Sequence, residues 1–89
     1  RDINFIFNKK YFINEIITSI RKSCKNLLED VNLVDIYSDD SLGNDNISYT
    51  FRLSYRDQNK TLKDSDINEL NSNIISNIEN KYSAKIRKS

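Results

Sequence analysis

Histidine, proline, methionine and tryptophan are absent from this 89-residue chain, and glycine and cysteine occur once each, as Gly43 and Cys24. The lack of histidine, with one cysteine, excludes zinc clusters, internal disulfides and histidine-based catalysis together. A single glycine cannot build a phosphate-cradling loop, and no histidine is there to activate a serine, so a hydrolytic triad is excluded as well. No apolar run approaches the length of a membrane span, and no signal sequence is visible. The formal net charge of +1 excludes a global field drawing the chain to nucleic acid or membrane, so any such attraction must come from a local patch. The lack of methionine is expected of a domain cut from a longer chain. The lack of proline beside abundant Asn, Lys and Ile reads as A/T-rich codon usage rather than chemistry. The length suits one domain, residues 1–89, near the size at which a single core is just sufficient.

What is present is strong patterning. In residues 47–56 the odd positions Ile47, Tyr49, Phe51, Leu53 and Tyr55 are apolar, and the even positions Ser48, Thr50, Arg52, Ser54 and Arg56 are polar. Period two over this length predicts a strand, 47–57, with one buried and one wet face. Residues 2–8 alternate in the same way around Ile3, Phe5 and Phe7. Residues 11–26 switch to helical spacing, with Phe12, Ile13, Ile16, Ile17, Ile20, Cys24 and Leu27 on one stripe. Residues 28–37 form a second strand. Val31 and Leu33 share one phase and Val34 and Ile36 the other, a slip that predicts a bulge. A polar loop spans 38–46. A second helix spans 64–80, with Ile67, Leu70, Ile74, Ile75, Ile78 and Tyr82 inward and Asp64 or Ser65 as its cap. A short last strand spans 83–88. The order β-α-β-β-α-β is the ferredoxin-like pattern, an α+β sandwich with a four-stranded antiparallel sheet and two helices on one face. Its core is expected to be the helix stripes against Phe5, Phe7, Phe51, Leu53 and Ile86.

Strand parity then assigns the uncovered face of the sheet. Ser48, Arg52 and Arg56 point outward, opposite the oily odd positions. If Val34 and Ile36 are buried, Asp35 and Tyr37 point outward too, and Tyr37 and Ser48 lie close across the hairpin. An exposed ring, a carboxylate, a hydroxyl and nearby arginines can seat an unstacked base, the ring stacking, the polar groups reading an edge and the cations meeting phosphate. Taken as residues alone, a tyrosine at a strand end and arginines on a wet face are more simply solvated surface. Cys24 is more simply a small core residue than a reactive thiol. Asp39 and Asp40 lack the spaced ligand set of a calcium loop.

Five blocks in order resemble a known family: Arg-Asp-Ile at 1–3, Leu-Val-Asp-Ile-Tyr at 33–37, Ser-Tyr-Thr-Phe-Arg-Leu at 48–53, Thr-Leu-Lys-Asp-Ser-Asp-Ile-Asn at 61–68 and Ala-Lys-Ile-Arg at 84–87. Together they are similar to the ferredoxin-fold anticodon-binding domain found at the C-terminus of phenylalanyl-tRNA synthetase, in the bacterial beta subunit or the organellar single chain. The resemblance implies binding of the anticodon stem-loop of the phenylalanine tRNA, with Tyr37 where the family stacks on the first anticodon base and Asp35 and Ser48 as the polar residues beside it. Arg52, Arg56 and Arg87 are the expected RNA-contacting cations. The implied parent is an ATP- and magnesium-dependent ligase whose catalysis lies elsewhere, so this domain is expected to hold no cofactor. Expected partners are the tRNA and the rest of the synthetase, not DNA or membrane, in the bacterial cytoplasm or an organellar matrix or stroma. The loop 38–46 departs from the family in being rich in aspartate, and Lys63 stands where a threonine cap is usual, which hands capping to Asp64. Tyr37 leans toward the bacterial type, and the Tyr55-Arg56 pair toward the organellar one. Two other readings stay open: a ferredoxin-like protein-interaction or small-ligand module, and an RNA-recognition motif. The second is disfavoured because Arg52 and Ser54, not aromatics, face outward.

Overall fold

The computed structural model describes residues 1–24 and 26–87. Seven elements follow in order: β1 (Asp2–Asn8), α1 (Ile13–Ser23), β2 (Leu28–Tyr37), a single 3₁₀ turn (Asp40–Leu42), β3 (Asn46–Tyr55), α2 (Asp64–Tyr82) and β4 (Lys85–Ile86). The strands form one sheet in the order β2-β3-β1-β4, every neighbouring pair antiparallel. This is the ferredoxin-like arrangement expected from the sequence.

The odd positions of β1 and β3 oppose one another, Ile3 against Phe51 and Phe5 against Tyr49. They enter one core with Ile16, Ile20 and Cys24 of the first helical segment and Ile74, Ile78 and Tyr82 of α2, and Phe5, Phe51, Ile16, Ile20, Ile74 and Ile78 are fully buried. Burying each such side chain contributes about 1.5–3 kcal/mol. Burial also pushes the Cys24 thiol up to about 11, which keeps it protonated and inert at neutral pH.

Several expectations are corrected by packing. Phe12 is 72% exposed, because it occupies the N-cap of α1 with an extended backbone and so leaves the helical stripe. The bulge predicted in β2 lies between Leu33 and Asp35, and a second one between Leu28 and Asp30. Val34 and Ile36 are not buried, at 42% and 58% exposure. β2 is the outer edge of the sheet, and helix cover fades along it, from buried Val31 through half-buried Leu33 to exposed Ile36. Ile86 is 37% exposed for the same reason, since β4 is the opposite edge. The strand expected over 83–88 shrinks to two residues, because Ser83 ends α2 in a left-handed conformation (φ 52°) and consumes the chain before pairing starts. Position 88 lies outside the described residues, as does Lys25 in the expected helix 11–26.

Neither Asp64 nor Ser65 caps α2. The helix begins at Asp64, so both fall inside its first turn. Asp66 reaches back instead, its Oδ2 accepting the Lys63 backbone N–H at 3.0 Å. That places a carboxylate at the positive end of the helix dipole.

Candidate nucleic-acid interface

The open face of the sheet is built from the even positions of β1 and β3 and their partners. Register places Tyr37 opposite Ser48, Ser48 opposite Ile6, and Ile6 opposite Lys85, one row crossing all four strands. The next row holds Asp35, Thr50 and Asn4, and ends at Arg87, whose backbone N–H donates to the Asn4 carbonyl at 2.8 Å. A third row holds Asn32, Arg52 and Asp2. Tyr37 and Asp35 therefore do share the outward face, although the burial of Val34 and Ile36 invoked to place them there does not occur.

Tyr37 and Arg87 start about 16 Å apart, three strand spacings across the sheet and one row along it. Their long side chains lean toward each other, and the Arg87 guanidinium carbon lies 5.1 Å from the Tyr37 ring centroid. Such a contact contributes about 0.5–1 kcal/mol at an exposed site. Tyr37 remains 39% exposed, whereas Ser48 between them is completely buried. Ser48 Oγ donates to Asn4 Oδ1 at 3.1 Å, while Asn4 Nδ2 donates back to Ser48 Oγ at 2.8 Å and also to Thr50 Oγ1. The hydroxyl expected to read a base edge thus has its proton committed to Asn4.

The tyrosine is also fixed at its tip. Its hydroxyl donates to Asp39 Oδ2, and Asp39 Oδ1 accepts the Ser41 backbone N–H at 2.8 Å and the Ser41 hydroxyl. The aspartate-rich loop after β2 is a bracket for the ring. Hydrogen bonds from Ser41 and then Tyr37 hold the Asp39 carboxyl below the usual carboxylate range, and the Asp39 bond raises the Tyr37 phenol.

The other two arginines are apart from this cluster. Arg52 lies four residues from Ser48 along β3, about 13 Å, in a bidentate pair with Asp2 (Nε–Oδ1 2.9 Å, the second nitrogen to Oδ2 3.1 Å). That pairing lowers the Asp2 carboxyl and raises the Arg52 guanidinium. Arg56 lies past the end of β3, 3.5 Å from Glu29. Of the six expected site residues, Tyr37, Ser48 and Arg87 converge, Asp35 flanks them, and Arg52 and Arg56 do not join. Sequence reasoning missed Asn4 and Asp39. The even phase of Asn4 in β1 would have revealed it, had the β1–β3 pairing been known.

A family profile described as the ferredoxin-fold anticodon binding domain matches residues 1–87. The chain belongs to that family. The domain is 62% identical over 87 residues to the beta subunit of phenylalanine–tRNA ligase from Prochlorococcus marinus subsp. pastoris. It is 42% identical to the subunit of the same name from Prochlorococcus marinus strain NATL2A and 31% identical to that from Clostridium acetobutylicum. Each match covers 98% of this chain and 11% of the relative. Among the described residues no helix is long and apolar enough to cross a membrane, and no group of three or more His, Cys, Asp or Glu side chains is arranged to hold a metal ion.

Proposed function

We propose that the domain binds the anticodon stem-loop of the phenylalanine tRNA as a non-catalytic module, residues 1–89, of a bacterial phenylalanine–tRNA ligase. The observation that carries this reading is the bracketed ring: Tyr37 stands on the open face with its hydroxyl held by Asp39 and one side against Arg87. The other side is left to stack on a base. Asp35 is the exposed acceptor beside it, and Arg87 the cation nearest the stacked nucleotide. Ser48 acts by orienting Asn4, whose amide is the polar group central to this face. Arg52 and Arg56, each tied to a carboxylate, contribute less to RNA than Arg87. The ATP and magnesium of the ligase reaction belong to other parts of the parent, and the bacterial relatives favour the bacterial cytoplasm as its compartment.

The rival protein-interaction reading has one observation behind it, the exposed Val34 and Ile36 on the edge strand β2. Contact with the rest of the synthetase accounts for that patch equally well. Titrating the full enzyme with unmodified phenylalanine tRNA and a non-cognate tRNA separates the readings. Base–aromatic stacking is worth about 1–3 kcal/mol by alanine substitution, so Tyr37→Ala should weaken tRNA binding roughly five- to a hundred-fold. Tyr37→Phe keeps the ring and loses only the tether, so its effect should be much smaller. Activation of phenylalanine by ATP alone should not change. Unaltered aminoacylation by Tyr37→Ala would reject the assignment.

A further inference from the structure

Beside the Tyr37 row, at one end of the sheet, a cavity of about 450 Å³ opens among β1, β4, the 3₁₀ turn and the end of α2. Its polar lining includes Asn8, Asn46, Ser41 and Ser83, and its charged lining residues among the described residues are Lys10 and Lys85. The two asparagines are partly committed internally. Asn8 Oδ1 accepts the Lys10 backbone N–H at 2.9 Å, and Asn46 Nδ2 donates to the Leu42 carbonyl at 2.8 Å. The two ammonium groups are not: among the described residues neither lysine pairs with a carboxylate, and Lys10 Nζ rests 5.1 Å from the Tyr11 ring centroid. The C-terminal end of α2 at Tyr82 and Ser83 opposes an anion here. The two lysines are the charges among its described lining residues that counter this field.

We propose that this cavity is a backbone seat, in which Lys10 and Lys85 hold a phosphodiester of the RNA strand flanking the nucleotide stacked on Tyr37. The inference rests on the anticodon-binding reading and adds a second contact point to it. Continuity with the first site carries the choice of occupant. Lys85 and Ile6 belong to the same row as Tyr37 and Ser48, and Ser41 both lines the cavity and donates to the Asp39 that holds the ring. A strand whose base lies on Tyr37 therefore runs past the cavity mouth. Two mobile ammonium groups suit a phosphate, which asks for charge rather than planar geometry.

The test uses the full enzyme and the Lys10→Gln/Lys85→Gln double variant, with tRNA affinity measured over a salt series. Each single-strand phosphate contact contributes about −0.7 to the slope of log affinity against log salt. The double variant should bind more weakly and with a slope shallower by about that amount, whereas Tyr37→Ala should weaken binding with the slope unchanged. Lys9→Gln, a neighbour that does not line the cavity, should leave the slope as it is. In synthetic stem-loops each carrying one neutral methylphosphonate linkage, one position should abolish the difference between wild type and the double variant. All the substituted lysines are exposed, and thermal unfolding checks that each variant folds. An unchanged slope in the double variant, or an equal loss from Lys9→Gln, overturns the cavity proposal alone. Failure of the wild-type enzyme to prefer the cognate tRNA overturns the anticodon reading as well.

Discussion

Asp39 shows how one side chain sets the use of another. Its two carboxylate oxygens divide their work, Oδ2 accepting from Tyr37 and Oδ1 from Ser41, so the ring is aimed by a loop residue that belongs to no strand of the sheet. The carboxyl lies below its ordinary range chiefly through Ser41 and next through Tyr37. For a carboxylate with a lowered native value, the associated stability is present above the unfolded value and fades as pH falls through the native one. The bracket is therefore intact throughout the neutral range, and on the carboxylate side it opens in acid. Carbon-detected NMR titration should find the Asp39 carboxyl below an ordinary aspartate, with Ser41→Ala moving it back toward normal further than Tyr37→Phe does. The reverse ranking would mean that the phenol, not the serine, is its principal partner.

Elements were largely legible because period separates them. Alternation around Ile3, Phe5, Phe7 and around Phe51, Leu53 marks strands, and the phase slip at Val34 marks the bulge before any pairing is known. What periodicity cannot register is where an element ends or how far its neighbour covers it. Phe12 continues the α1 stripe in sequence, yet the helix starts one residue later; Ile36 and Ile86 carry the apolar character of core positions, yet both are on sheet edges. The site was legible to the same degree. Parity found the face of Tyr37 and Ser48, but strand order, which brings Arg87 over the ring and Asn4 against Ser48, is a global property. A matched pair of truncations measures the difference between stripe and cover. Ile16→Ala should destabilise the domain by about 2–5 kcal/mol, as for a large-to-small core change. Phe12→Ala should stay within about 0.5 kcal/mol, as for an exposed site. Denaturant unfolding followed by circular dichroism would report both, and equal losses would contradict the exposed position of Phe12.

At the scale of the whole molecule, the modest net charge hides an uneven distribution. Several cations are neutralised locally, Arg52 by Asp2, Arg56 by Glu29 and Lys60 by Asp66, at one end of the open face or beyond it. Lys10, Lys85 and Arg87 gather toward the other end without such partners among the described residues. Attraction for a polyanion is thus local even where the total is near zero. The same end of the sheet joins its longest and shortest pairings. Tyr37 and Ser48 close a ladder between two ten-residue strands, while Lys85 and Arg87 hang on a strand of two. Segments with few backbone bonds and exposed flanks open at little cost, independently of the global transition. The cationic half of the interface should accordingly behave as a separate, low-protection unit. In deuterium exchange the Arg87 amide, despite its 2.8 Å bond to the Asn4 carbonyl, should label long before the β2–β3 amides and slow down when tRNA is bound. Recognition at this surface would then have the character of a clasp, with one jaw preformed and the other ordered by the strand it grips.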